Sequence, residues 1–533
     1  MDYDIVIFWF VVFSCLSALV MVLTRLRHGV AGWVVVYLSI LLVAVVGSLC
    51  RQPTLIHLAA GMWFLLVLTP GLMGRLYHQR FLQQRYSGAR KLAQIISWLH
   101  PADGWRTLPE IIRALELAQR GELTGAQEIL KRFQDVKSVI GLAAVTNLYQ
   151  LTNQWEELWD WQTRNLPAIE RHPSFLPSLL RAKGETGDVR GLIELYDRHQ
   201  QQIRKLVPAS ARSLCRLMLF AFCGRRQPVE RLVAGSLAVL PASTREFWLA
   251  TSDMMAGKSE SAKRQFEQLL PVADPPLRQT IQRRLARLSI LPSPLDALAE
   301  GVVEEAAREH DHDENFGAQR SLFSNRARAT QILIGLNVLM FALEISLGGG
   351  TNMDTLYRLG ALFPPAVHAG QWWRLIAALF LHYGWLHIAM NMLALGVLGP
   401  FVEFALGFRR YFFVYLLSGI GSMGAVMWFG SGPDGQQMSV GASGCIMGLV
   451  GATGALMLRG WRRHKALSAK RRLTAILLIV LMQTFFDSVV PQVSMTAHLS
   501  GALIGFAAAL MLRDRLVATA PQSEAAAALP ENP

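Results

Sequence analysis

"SVGASGCIMG", residues 439–448, sets one hydroxyl among three closely spaced glycines inside a run apolar enough to sit in lipid. Glycine weakens a helix, so a span that carries several of them around a single serine needs a physical reason. The composition says what kind of chain surrounds it. At 533 residues, 52% hydrophobic yet 17% charged, the protein is too apolar to be wholly soluble and too charged to consist of spans alone.

Runs long enough to cross about 30 Å of hydrocarbon occur at 5–23, 30–49 and 55–73, and again at 331–347, 385–401, 411–429, 440–458, 473–490 and 495–512. Between the two groups no comparable run appears. The predicted fold class is therefore all-α: a polytopic helical membrane protein with a six-helix core and a soluble, repeat-like helical domain. Residues 1–74 form a three-span region, 75–300 the helical domain, 301–328 a polar linker, 329–515 the six-span domain and 516–533 a flexible tail. The first run lacks a small-residue cleavage site and reads as an uncleaved anchor.

The net charge of +14 invites a nucleic-acid partner, but the basic residues cluster beside the spans, which argues against one. With the N-terminus outside, the inner segments hold Arg25 and Arg27, the run from Arg75 to Lys91, Arg326 and Arg328, Arg409 and Arg410, "RGWRRHKALSAKRR" (459–472), and Arg513 and Arg515. The outer loops hold little beyond Arg51, Arg358 and Arg374. That asymmetry predicts the N-terminus outside, with the helical domain and C-terminus in the cytoplasm. The membrane expected is a bacterial plasma membrane.

In the insert, "LAQRGELTGAQEILKRF" (117–133) and "MMAGKSESAKRQFEQLL" (254–270) share Gly-x4-Ala-x3-apolar. "TGDVRGLIELY" (186–196) and "TNQWEELWDWQ" (152–162) look like looser copies, at a period of about 32 to 35 residues. The pattern fits helix-hairpin repeats of the tetratricopeptide kind, or an ordinary α-helical domain; either offers a surface to a protein partner. The cysteines Cys15, Cys50, Cys215, Cys223 and Cys445 are scattered, without a metal or disulfide spacing, and "HDHDE" (310–314) reads as solvated charge.

With this orientation, the runs at 385, 440 and 495 all go from outside to inside, each with its unusual polar residues near its start. These are His387 and Asn391, Ser443, and His498. At 1.5 Å rise per residue the four lie about 3 to 9 Å below the outer ends of their helices. His387 and Asn391, four apart, share a face. Ser443 can meet His498 only if two backbones come very close, and Gly441, Gly444, Gly448 and Gly451 facing Ala497, Gly501 and Gly505 supply the small faces for it. A hydroxyl beside an imidazole is the minimum for nucleophilic acyl transfer. Asn391, His387 and the Ser443 amide are suited to stabilise an oxyanion. Only Asp487 is available to orient His498, and a Ser–His dyad is the economical expectation; Glu344 and Asp487, near outer ends, are expected to reach water. Shallow, one-sided polar groups do not suit a transporter, and no HExxH is present for a metalloprotease.

These residues resemble the rhomboid family of intramembrane serine proteases. The matching motifs are "WWR" at 372–374 with Trp373 and Arg374, His387-x3-Asn391, Glu403 with Gly407 and Arg410, Gly441-x-Ser443-Gly444, and Ala497-His498-x2-Gly501, in order across residues 331–515. The resemblance implies Ser443 as nucleophile, His498 as general base, and His387, Asn391 and the Ser443 amide as oxyanion donors. It further implies that the loop with Trp373 and Arg374 is a structural element and that transmembrane proteins are the substrates. Met447 departs from the pattern, standing where the family commonly has an aromatic ring near the histidine. Glu403 is expected to pair with Arg409 or Arg410, and His382 to be a loop anchor or a further oxyanion donor, the anchor being favoured. The reading needs no cofactor and no metal; its partners are the lipid bilayer, membrane-protein substrates and a protein bound to the helical domain. The competing function is a catalytically silent membrane scaffold.

Overall fold

The computed structural model describes residues 3–24, 31–134, 138–288, 294–317, 322, 327–430, 438–489 and 494–516. Arg25, Arg27, Arg326 and the tail from 517 onward lie outside the described residues. The fold is all-α; among the described residues the only extended pairing is an isolated antiparallel bridge between Leu362 and Ser439. Among the described residues, seven helices are long and apolar enough to cross a membrane. Two shorter apolar helices, Asp4–Val20 and Met495–Met511, coincide with the two remaining apolar runs. The chain divides into two compact units, Asp2–His310 and one beginning at Asp311.

In the first unit, the apolar helices pack around Val11, Cys15, Ile40, Ala44 and Ala59. Beyond them, five helix hairpins follow one another, with first helices Leu108–Gln119, Val139–Leu151, Leu176–Glu185, Ala209–Phe222 and Ala242–Met255. Each hairpin turns through a left-handed residue: Gly121, Asn153, Gly187, Gly224 and Gly257 have φ of 90°, 55°, 90°, 68° and 78°. Glycine and asparagine tolerate that conformation best. Five residues past each turn stands a small or branched apolar side chain, Ala126, Leu158, Leu192, Val229 or Ala262, and each is 0% exposed. These turns fall 32, 34, 37 and 33 residues apart, so the repeat lies in successive hairpins, with one, turning at Gly224, between the copies at 186–196 and 254–270.

The expected linker is a correction. Residues 301–317 continue the helix Ala297–His312 and the π-helical turn Asp313–Gly317. Ala299, Val303, Ala306 and His310 are all buried, at spacings of four, three and four. This is a helical stripe, hidden in the sequence because acidic residues crowd the positions between.

The second unit holds six core helices: Arg328–Ser346, Trp385–Leu406, Phe408–Ala425 with a π-helical extension to Gly430, Ser443–His464, Leu467–Val489 and Met495–Met511. The fourth is the central one: 83% of its apolar window is buried inside the protein, against 11% for the fifth. Its last turn carries Arg462, Arg463 and His464, cations placed where the helix dipole favours them.

Glu403 corrects another expectation. Its buried carboxylate does not pair with Arg409 or Arg410; it accepts from the backbone N–H groups of Ala329 (2.8 Å) and Thr330 (2.9 Å) and from the Thr330 hydroxyl (2.9 Å). A side chain of the second core helix thereby caps the first, satisfying donors that any helix N-terminus leaves open. Arg410 instead donates to the Arg513 carbonyl at 2.6 Å, tying down the end of the sixth helix.

Candidate active site

The site forms where the second, fourth and sixth core helices begin. The fourth starts at Ser443 itself, three residues later than the apolar run implied, because Gly441 breaks the run with φ +130°. Its N–H donates to the Ala378 carbonyl at 2.9 Å, and two residues earlier Ser439 exchanges both backbone hydrogen bonds with Leu362, each 3.0 Å. The serine is therefore held from the loop between the first and second core helices.

Arg374 holds that loop. It is 3% exposed and donates to Gln371 Oε1 (2.7 Å) and to the carbonyls of Tyr357 (2.7 Å) and Ala361 (3.0 Å). Its guanidinium lies over the Tyr357 ring at 4.2 Å and the Trp373 ring at 5.0 Å. Ala361 precedes the bridge residue Leu362, so the "WWR" motif acts on the Ser443 turn through one short stretch of backbone. Planar, multidentate arginine suits such a clamp better than lysine would.

The glycines do what the opening stretch suggested. A Cβ placed on Gly501 would come closer than 3.0 Å to the Gly444 carbonyl oxygen, and one on Gly505 would do the same at Gly448. One on Gly451 would strike the Ala502 carbonyl. The fourth and sixth helices therefore touch backbone to backbone along successive turns, the small-residue packing available in lipid. Gly444 also faces the Ala497 carbonyl, 3.7 Å from its Cβ position. Ser443 directly precedes Gly444 and His498 directly follows Ala497, so the two residues flank this contact between the fourth and sixth helices. Ser443 remains partly accessible and His498 is 7% exposed.

His387 and Asn391 face the same turn. A Cβ on Gly441 would lie 2.9 Å from His387 Nε2 and 3.8 Å from Asn391 Nδ2. His387 Nδ1 accepts the Tyr383 N–H at 3.3 Å, which assigns the neutral ring its proton on Nε2, toward the Gly441 turn. Asn391 is 7% exposed, and its Nδ2 has no partner among the described residues. Two N–H donors thus converge beside the serine, one of them a buried amide left open, as an oxyanion site requires.

Two carboxylates lie differently from expectation. Glu344 is 0% exposed and accepts the His382 N–H at 3.0 Å. His382 Nδ1 in turn donates to the Phe380 carbonyl at 3.2 Å, and its ring meets that of His387 edge-on with centroids 5.2 Å apart. His382 is thus held by the Glu344 carboxylate and the Phe380 carbonyl, with its ring against His387. Asp487 does not reach water either. Its side chain is 0% exposed, with Oδ2 2.8 Å from His498 Nδ1 and Oδ1 accepting from Gln483 Nε2 at 2.8 Å. The signal in the sequence was Gln483-x3-Asp487, one polar helical face at the depth of His498. Met447 is buried in the core of this unit.

Comparison with known proteins bears on the same residues. The family model for the rhomboid domain matches residues 369–515. The chain is 33% identical over 201 residues to the rhomboid protease GluP of Bacillus subtilis (strain 168), covering 38% of each protein. It is 35% identical over 159 residues to RHOMBOID-like protein 5 of Arabidopsis thaliana, covering 30% of this chain and 49% of that one. It thus spans less than half the length of either relative. To YdcA of Bacillus subtilis it is 34% identical over 152 residues, which cover 28% of this chain and 70% of YdcA. No solved structure gives a significant match. The family model takes in the serine turn and both histidine helices, and a relative 34% identical is covered over 70% of its length; the chain belongs to the rhomboid family.

Proposed function

We propose that the protein is an intramembrane serine endopeptidase that hydrolyses peptide bonds in or near the transmembrane segments of other membrane proteins. The observation that carries this reading is the open Asn391 Nδ2 and the His387 Nε2–H converging on the turn before Ser443, across a backbone-to-backbone helix contact from His498. In this mechanism Ser443 Oγ attacks the scissile carbonyl carbon while its proton passes to His498 Nε2. The carbonyl oxygen becomes an oxyanion and accepts from His387, Asn391 and the Ser443 amide, each such donor being worth roughly 10²–10³-fold in rate. His498 then protonates the departing amine. Water entering from the outer side hydrolyses the acyl-enzyme by the same steps in reverse.

The membrane arrangement proposed is the one argued from loop charge: N-terminus outside, helical domain and C-terminus in the cytoplasm of a bacterial plasma membrane. The helical domain, of tetratricopeptide kind, presents a surface for a protein partner that recruits substrate or regulates access.

The test is labelling by a fluorophosphonate probe of the full chain in native membranes. Wild type is expected to label, Ser443→Ala and His498→Ala to stay unlabelled, and Asn391→Ala to label at least tenfold more slowly. A silent scaffold predicts no labelling of wild type under conditions where an active rhomboid protease labels.

A further inference from the structure

Asp487 has no place in the Ser–His mechanism, yet its surroundings are built for an ion. It sits in the last turn of the fifth core helix, where the helix dipole disfavours negative charge, and its side chain is fully buried. A carboxylate kept under both penalties must be paired, and both of its oxygens are: Oδ2 with His498 Nδ1 at 2.8 Å and Oδ1 with Gln483 Nε2 at 2.8 Å. Gln483 Nε2 also lies 3.4 Å from His498 Nδ1. An amide N–H cannot donate to a nitrogen that is itself donating, and the shorter contact to a full charge decides the assignment: Nδ1 carries the proton and donates a hydrogen bond to Asp487.

Resting on the reading of Ser443 as nucleophile and His498 as base, we propose that Asp487 is a positioning residue that converts the dyad into a Ser–His–Asp arrangement, with Gln483 as its support. A hydrogen bond at Nδ1 keeps Nε2 unprotonated and turned toward Ser443. When Nε2 takes the serine proton, the resulting imidazolium faces a carboxylate already in place, so no reorganisation is needed as charge develops. The carboxylate keeps its charge throughout; the only proton that moves goes from Ser443 Oγ to His498 Nε2. Asparagine at 487 can instead donate to Nδ1 and select the tautomer that cannot accept from serine.

The experiment uses the full chain in native-like bilayers, with the fluorophosphonate labelling rate as the first readout and ¹⁵N chemical shifts of His498 as the second. Asp487→Asn is expected to label about 10²–10⁴-fold more slowly than wild type, with unchanged thermal unfolding. His498 of the wild type is expected to be protonated at Nδ1 and bare at Nε2, with the assignment reversed in the variant. If Asp487→Asn labels within twofold of wild type while Ser443→Ala and His498→Ala stay dark, the role of Asp487 is overturned and the protease reading stands. If wild type itself fails to label beside an active control, both fall. Should Asp487→Asn not fold, the wild-type tautomer decides: a proton on Nε2 overturns the proposal.

Discussion

Gly501→Ala adds one methyl group to the sixth core helix, at the point where it lies against Gly444. The three atoms nearest the new Cβ are all backbone: the Gly444 carbonyl oxygen, its carbonyl carbon at 3.0 Å and its Cα at 3.2 Å. No rotamer change can relieve such a clash, so the helices must part by several tenths of an ångström. Alanine gains roughly 0.5–1 kcal/mol of helix propensity over glycine, while overpacking costs about 1–3 kcal/mol. A net loss of about 1–2 kcal/mol is expected. Because Ser443 precedes Gly444, the same displacement enlarges the gap to His498, and a misplacement approaching 1 Å can cost about 10²-fold in rate. Gly454→Ala is the matched control on the fourth helix: its Cβ would lie 3.6 Å from Ile476 Cγ2 and from Phe506 Cδ2, an ordinary contact. Unfolding in detergent and fluorophosphonate labelling well below the midpoint measure the two effects separately. If Gly501→Ala matches Gly454→Ala in both, the close approach of the two backbones is not what positions the dyad.

Glu403→Ala orphans the buried Ala329 and Thr330 amides, and at about 1–3 kcal/mol per lost partner it should destabilise the second unit by about 2–5 kcal/mol. Glu403→Gln, which keeps one acceptor, should lose less than half of that; equal losses in an unfolding titration would contradict the capping role. Arg374→Lys cannot reproduce three planar donor contacts, so it should slow Ser443 labelling through the Leu362–Ser439 bridge; an unchanged rate would uncouple loop from site. Cys50 is exposed after the second apolar helix, so with the N-terminus outside, an impermeant maleimide should label it on intact cells; labelling only after permeabilisation would reverse the orientation. In the helical domain, burial pushes the Cys223 thiol up to about 12, leaving about 10³-fold less thiolate near neutral pH than an ordinary thiol has. Cys223 should therefore react correspondingly slowly in permeabilised cells, and labelling as fast as that of a free thiol would show that the domain opens.

Much of this protein could be read along the chain because its signals are local. A membrane-crossing helix needs about twenty apolar residues in succession, and nine runs announced themselves. The hairpin period was legible because each turn needs a residue tolerant of positive φ and each second helix needs a buried side chain at a fixed distance from it. Ser443, His498, His387 and Asn391 stood out because polar side chains inside apolar runs are conspicuous. What stayed hidden were partnerships between residues far apart in sequence. Glu403 lies near arginines in the chain, yet it caps a helix by accepting from an amide 74 residues earlier; a buried carboxylate takes the donors that folding leaves open, whatever its neighbours in sequence. Asp487 looked like a helix-end charge within reach of water until the packing of the fifth and sixth helices closed over it and left His498 as its partner. Sequence alone determined which residues could do chemistry and at what depth, because length and hydropathy set both. Tertiary structure alone decided which acceptor faces which donor, because that depends on how closely two backbones approach, and here glycine lets them touch.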